Sequence, residues 1–298
     1  MDGVARFGVA VEDGDAVSQW LLEMEDVHFA YPGSAQTALN GLSLRVPAGK
    51  KCVLLGRNGC GKSTLLLHAN GIYRPQRGVV KWRGRPFAYN LRWLADIRRK
   101  VGLVLQDPEH QFVAATVEED ISYGLCNVGL PEAAIRRRVA EILERFGLLG
   151  LAQTPLHHLS LGQKKWVALA GVMAVEPELL LLDEPTASLD PYHEKRLLQE
   201  LDQLHAAGTT VMMATHDLDL ALAWGEWIYV VDDGRLVLEG TPEQVFSRQD
   251  VLTKLGLGVP ILAEIWHILQ ELEGKELSVV GPEIPRNVAE LRRRLKGR

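Results

Sequence analysis

Apolar and polar positions alternate along LLEMEDVHFAY (21–31) and GLSLRV (41–46), then merge into the near-continuous apolar run of KKCVLLG (50–56). Alternation is the period of half-buried strands, and its loss means that both faces of a strand are covered, as inside a parallel sheet. VVKW continues the strand-rich part, NLRWLADIRRK predicts a helix, and VGLVLQ returns to buried strand. From Val117 to about Gly150 the spacing turns helical, with Pro131 opening and Gly147 closing the helix of PEAAIRRRVAEILERFG.

Beyond this point strands and helices alternate: a helix starting at LSLGQKKWVALAG (159–171), a strand at 179–182, a helix over 191–206, a strand over 209–215 and a short helix. Such alternation predicts an α/β fold, a mostly parallel sheet with helices on its faces. WIYVVDDGRLVLEG predicts a hairpin turning at Asp233-Gly234, and Thr241-Pro242-Glu243-Gln244 is a capping box. The box opens a final region, 241–298, of amphipathic helices such as PILAEIWHILQELEG. Residues 1–19 are acidic and aperiodic and are expected to form a mobile tail.

The start at Ser160-Leu161-Gly162-Gln163 reads as an N-cap followed by free amides, with no evident partner nearby in the chain. A helix leaves its first N–H groups unsatisfied and positively polarised, so this end is expected to seek an anion.

At 298 residues, with 47% hydrophobic and 24% charged, the composition is that of a soluble globular protein of one large or two ordinary domains. A net charge of −5 argues against binding nucleic acid through an overall positive field, and the basic runs at 136–138 and 292–298 read as solvated surface. Three cysteines without metal-ligand spacing fit a reducing compartment. No apolar run approaches the ~18 residues of a membrane span, and the N-terminus lacks signal-peptide character. Any service to a membrane is expected from outside the bilayer.

Candidate chemistry changes this picture. Gly56-Arg57-Asn58-Gly59-Cys60-Gly61-Lys62-Ser63 follows a buried strand and precedes a helical run, fitting the phosphate-loop pattern G-x-x-x-x-G-K-[ST] in its required context. Its amides would surround phosphates, Lys62 would supply a point charge, and Ser63 would offer a hydroxyl to Mg²⁺. Chance produces this pattern on the order of once in a hundred chains of this length. LLLLDEP then brings a buried strand to its end at Asp183 and Glu184. Asp183 is suited to hold Mg²⁺, directly or through water, and Glu184 to orient or deprotonate an attacking water. Cys60 lies in the phosphate loop, where amides would lower a thiol pKa; a small, tolerated side chain is the plainer alternative.

Together these segments resemble the ATP-binding cassette (ABC) ATPases over roughly residues 21–240. The resemblance implies a P-loop NTPase fold: a RecA-like, mostly parallel sheet core, an N-terminal antiparallel β subdomain, an α-helical subdomain at about 107–165 within an ATP-binding domain of 20–240, and a C-terminal helical extension from 241. It implies ATP and Mg²⁺ as cofactors. Matched position by position, Tyr31 resembles the adenine-stacking aromatic. Asn58, Gly59, Cys60, Gly61, Lys62, Ser63 and Thr64 match the phosphate loop. Ser63, Gln106 and Asp183 match the Mg²⁺ neighbours, and Glu184, Gln106 and His216 the catalytic set. Leu159–Gln163 is similar to the family signature LSGGQ, so that Ser160, Gly162 and Gln163, with Asp190 of the Ser188-Leu189-Asp190 loop, would act in trans. They would reach ATP held by a second subunit in a head-to-tail dimer, expected to be a homodimer. Two positions depart: Leu161 replaces the signature's first glycine, and Trp166 stands where the family usually has arginine, which predicts a changed hydrolysis rate.

Within the family, GLSLRVPAGKKCVLLGRNGCGKSTLL, HANGIYRPQRGVV and QDPEHQF are most similar to ATPases of energy-coupling factor (ECF) importers, of the CbiO cobalt-uptake type. This implies a peripheral protein on the cytoplasmic face of the cell membrane. Its partners would be a transmembrane coupling protein and a substrate-capturing membrane protein, and its cargo cobalt, nickel or a vitamin. Asp107, Glu109 and Gln111 would border the groove for the coupling protein. The ATPase of an exporter or another importer type shares these residues and differs only in partner; a soluble ABC ATPase that clamps nucleic acid is a competing class, opposed by the acidic balance and the short stretch between Gln106 and Ser160.

Overall fold

The computed structural model describes residues 5–6, 20–276 and 283–296. Two sheets organise the chain. The smaller is antiparallel, in the order β3 (Thr37–Pro47), β2 (Trp20–Ala30), β5 (Arg77–Trp82), β6 (Arg85–Pro86). The larger has seven strands in the order β1 (Ala5–Arg6), β11 (Arg235–Gly240), β10 (Trp227–Asp232), β4 (Lys51–Leu55), β9 (Thr210–Thr215), β8 (Leu179–Asp183), β7 (Val101–Val104). All its pairings are parallel except the β10–β11 hairpin.

The hydrophobic runs are continuous because each central strand serves two cores on opposite faces. Val53 and Leu55, Leu180 and Leu182, and Met213 point into one core; Cys52 and Leu54, Leu179 and Leu181, and Met212 point into the other. This is the period-2 geometry of a strand covered on both sides. The second core receives β2, β3, α1 (Lys62–Ala69) and α2 (Leu91–Lys100). The first receives α3 (Val117–Val128), α4 (Glu132–Arg145), α5 (Leu161–Met173), α6 (Pro191–Ala206) and α7 (Leu218–Trp224). It also takes in α8 (Pro242–Phe246), α9 (Gln249–Lys254) and the start of α10 (Ile261–Glu276), through Phe246, Leu252 and Trp266; α11 (Val288–Lys296) follows.

The hairpin turns at Asp233-Gly234, both with positive φ (+45° and +68°), and Thr241 and Gln244 form the reciprocal cap expected of them. Residues 5–6 fall within the stretch expected to form a mobile tail. They pair with Leu238 and Glu239, because β11 would otherwise present an open edge of unpaired backbone groups. The remainder of 1–19, and 277–282 and 297–298 of the C-terminal region, lie outside the described residues. Among the described residues no helix is long and apolar enough to cross a membrane.

Candidate nucleotide site

The loop between β4 and α1 can take its shape only with glycines at particular places. Gly59 and Gly61 have φ of +81° and +108°, and a Cβ on Gly61 would fall 2.5 Å from the Ala38 carbonyl oxygen. Gly61 caps α1 without any side chain, so the first amides of the helix are left to an anion. The loop is braced from behind: the Gly234 amide donates to Cys60 O at 2.9 Å, and the Asn40 amide donates to Gly234 O at 2.9 Å. Lys62 is buried and folds over the loop, donating to Gly56 O at 2.7 Å and Arg57 O at 3.3 Å, with Glu184 Oε1 3.6 Å away.

β8 delivers Asp183 and Glu184 beside that lysine, each 6% exposed. Burial pushes the Asp183 carboxyl above its usual range; the Ser63 hydroxyl, bonded to it, pulls the other way, while the Glu184 charge adds to the rise and Lys62 opposes it. Asp183 Oδ1 is buried with no hydrogen-bond partner among the described residues. An orphaned carboxylate oxygen next to a serine hydroxyl has the hard-oxygen chemistry that suits a divalent cation. Glu184 sits in the left-handed region (φ +45°), and its carboxylate lies 3.0 and 3.1 Å from His216 Nδ1 at the end of β9.

These groups share a cleft of about 650 Å³. Of the predicted residues it brings together Tyr31, Asn58, Gly59, Gly61, Lys62, Ser63, Thr64, Gln106, Asp183 and Glu184. Tyr31 stands at the rim, its hydroxyl 2.9 Å from Thr64 Oγ1 and its ring edge-on to Phe29 and Tyr73. His216 joins through Glu184. Sequence reasoning missed Ser34, Gln36, Thr37, Ala38 and Asn40, which follow Tyr31, and Asp233-Gly234, which it read only as a turn.

Ser160, Gly162, Gln163 and Asp190 do not line the cleft. The expectation of partnerless groups at the α5 start needs correction. Ser160 Oγ accepts from Gln163 N, and Gln163 Oε1 accepts from Ser160 N at 2.8 Å, a reciprocal cap like that at Thr241. The Gln163 side chain is thus engaged within its own chain, and the amides of Leu161 and Gly162 are what the cap leaves over. Asp190 caps α6 and accepts from the Tyr192 and His193 amides. Of the two readings of Cys60, the plainer one, a small tolerated side chain, fits the structure. Its thiol points away from the cleft against Gly56, and burial raises its pKa despite the nearby Lys62.

The segment after β7 is pinned from two sides: Gln111 Oε1 accepts from Leu105 N at 3.0 Å, and Glu109 pairs with Lys164 of α5. Asp107 caps its 3-10 turn. Trp166 is buried, packed edge-on to Phe146 with centroids 5.8 Å apart, and the Arg196 guanidinium lies 4.6 Å from its ring.

A family model describing ABC transporters matches residues 39–187. A putative ABC transporter ATP-binding protein of Nostoc sp. is 54% identical over 87% of this chain and 94% of its own length. An energy-coupling factor transporter ATP-binding protein of Methanocaldococcus jannaschii is 42% identical over 85% of this chain and 90% of its own. Among solved structures, cbiO1 of Clostridium perfringens, described as part of the ABC transporter complex cbiONQ, superposes with a TM-score of 0.69 at 37% identity, covering 85% of this chain and 99% of that one. The ATP-binding cassette MJ0796, a dimer in a post-hydrolysis state bound to ADP and Pi, gives 0.68 at 28% identity, covering 74% of this chain and 98% of its own. The chain therefore belongs to the ABC transporter family, as an ATPase similar to the ATP-binding subunits of energy-coupling factor transporters.

Proposed function

We propose that this ATPase is the energy-coupling subunit of an ECF-type importer for cobalt or another transition-metal ion such as nickel. It would work as a head-to-tail homodimer on the cytoplasmic face of the cell membrane, bound to a transmembrane coupling protein and a substrate-capturing partner. The observation that carries the reading is the division of labour in one chain. Lys62, Asp183 and Glu184 line one cleft, with His216 bonded to Glu184, while the α5 start is not among the residues that line it. Similarity to cbiO1, part of the complex cbiONQ, supports the transporter reading, and the choice of a metal ion over a vitamin rests on the resemblance of QDPEHQF and its companion segments to the CbiO type.

ATP would lie with its phosphates on the Gly56–Ser63 loop and its base against Tyr31. Lys62, which now bonds to loop carbonyls, would exchange them for phosphate oxygens. Ser63, Asp183 and Gln106 would hold Mg²⁺, which neutralises phosphate charge when bound; the orphaned Asp183 Oδ1 fits that duty. Glu184 would accept the proton of the attacking water, and His216 would hold the Glu184 carboxylate in place while reaching the γ-phosphate. Leu161 and Gly162 amides and the Ser160 hydroxyl would close on the partner subunit's γ-phosphate, with Asp190 beside them. ATP then holds the dimer shut and hydrolysis releases it. The cleft is furnished for a nucleotide, which leaves cargo recognition to the membrane partners.

Two experiments test this. Glu184→Gln is expected to lower turnover by ~10²–10⁴-fold and to accumulate an MgATP-dependent dimer in light scattering; a strict monomer would refute the shared site. Affinity purification of the tagged chain from detergent-solubilised native membranes is expected to recover two membrane proteins. Recovery of nucleic acid or soluble partners alone would overturn the transport reading and leave the ATPase standing.

A further inference from the structure

Lys165 lies on α5 between the Ser160 cap and Trp166, and its side chain is 7% exposed. A buried ammonium needs acceptors for three N–H groups. It finds three main-chain carbonyls: Pro185 at 2.9 Å, Ala187 at 2.5 Å and Glu184 at 3.4 Å. All three belong to the turn that leads from β8 to α6.

That turn is strained. Glu184 (φ +45°) and Ser188 (φ +61°) both carry side chains in the left-handed region, a conformation that persists only where the surroundings over-determine it. Within the turn, the Ala187 amide donates to Glu184 O at 3.2 Å and the Leu189 amide to Thr186 O at 3.1 Å. Glu184 O accepts from Ala187 and from Lys165, so the ammonium ties this residue to α5, while the Glu184 amide, donating to Ala214 O at 2.9 Å, ties it to β9. Burial lowers the Lys165 pKa, and the Glu184 charge opposes that fall. The adjacent Lys164 pairs with an exposed Glu109, a surface contact that contributes little by itself.

We propose that Lys165 is a positioning residue whose ammonium locks the Glu184–Ala187 turn onto the signature helix, so that the Glu184 carboxylate and the Ser160 helix start move as one body. Its consequence for hydrolysis rests on the reading of Glu184 and Ser160 given above. Under that reading, Lys165 ties a chain's own nucleotide site to the surface it offers its partner's site.

Lys165→Met removes the donors and keeps most of the apolar stem; Lys165→Gln, which retains a neutral donor, serves if the first variant fails to fold. Hydrogen exchange of the nucleotide-free chain tests the lock without reference to catalysis. The Ala187 and Leu189 amides are expected to exchange ~10-fold faster or more, with those of the phosphate loop and α1 unchanged. Turnover is expected to fall ~10–100-fold, while KM for MgATP stays within about twofold. Unchanged exchange at 187 and 189 would overturn the lock. Equal acceleration in the phosphate loop would overturn it too, as the mark of general loosening. Faster exchange with wild-type turnover would overturn the positioning role. Wild-type turnover in Glu184→Gln, by contrast, would remove the catalytic reading and leave the exchange result to judge the lock.

Discussion

Restoring the family's usual residue at position 166 is expected to damage this protein. Trp166 is 7% exposed, wedged against Phe146 and covered by Arg196, whose guanidinium also donates to Phe146 O at 3.1 Å. Deleting such a side chain to alanine costs about 3–5 kcal/mol. An arginine stem refills part of the volume, so roughly 2 kcal/mol of packing is lost in Trp166→Arg. The ring–cation contact contributes a further ~0.5–1 kcal/mol. The new guanidinium would arrive at the ring's place, 4.6 Å from Arg196. At that separation two like charges repel by ~1 kcal/mol in water and about 4 kcal/mol at an effective dielectric of 20. Arg196 is exposed and can swing outward, so the lower figure applies, with the Phe146 hydrogen bond lost in the movement. With ~1 kcal/mol for that hydrogen bond the sum is about 4–5 kcal/mol, a large part of a typical folding stability. Urea unfolding of wild type, Trp166→Arg, Arg196→Leu and the double variant measures it. The double variant is expected to recover ~1 kcal/mol relative to the sum of the single changes. Wild-type or higher stability for Trp166→Arg, or strict additivity of the two changes, would refute the reasoning.

Other consequences are open to measurement. Asp183 has its pKa raised by burial, so its ionised form destabilises the nucleotide-free protein; the penalty grows as pH rises from 3.8 toward the higher folded value and is full above it. Asp183→Asn should raise the melting temperature without nucleotide, flatten that acid-side pH dependence and abolish Mg²⁺-dependent turnover; a lower melting temperature would contradict this. Gly59→Ala meets only backbone strain, ~1–2 kcal/mol, whereas Gly61→Ala must also displace the Ala38 carbonyl. Gly61→Ala should therefore lose clearly more stability and ATP affinity, and equal losses would be inconsistent with the loop geometry. Among the thiols, Cys52 is pushed up to about 12 and Cys60 is raised, both by burial, while Cys126 is exposed. Iodoacetamide at neutral pH should label Cys126 first, Cys126→Ser should remove the fast phase, and MgATP should not change its rate; rapid labelling of Cys60 would contradict this.

The phosphate loop and LLLLDEP were legible in the chain because their chemistry is local. A buried strand, a glycine turn and a helix start lie within a dozen positions, and each motif carries its own context. The Ser160–Gln163 cap is written in the same S/T-x-x-Q spacing as that at Thr241, so its reciprocal bonds are as local as those motifs. The extent of the cleft was not legible. Ser34 to Asn40 and Asp233-Gly234 reach it from another sheet and from the far end of the chain, and nothing in a turn dipeptide says which loop it will brace.

What the sequence determined by itself was the element order, the α/β class and the identity of the phosphate and water chemistry, since periodicity and short motifs encode backbone geometry within one or two turns. The tertiary structure decided how distant pieces satisfy one another: the Arg196 cover over Trp166, the orphaned oxygen of Asp183, the thiol of Cys60 turned inward, and the three carbonyls on Lys165. Each depends on burial and on partners brought close only by packing, where an unsatisfied charge or a gap costs kilocalories. A lysine two residues after an expected anion site reads as one more surface cation until the fold encloses it.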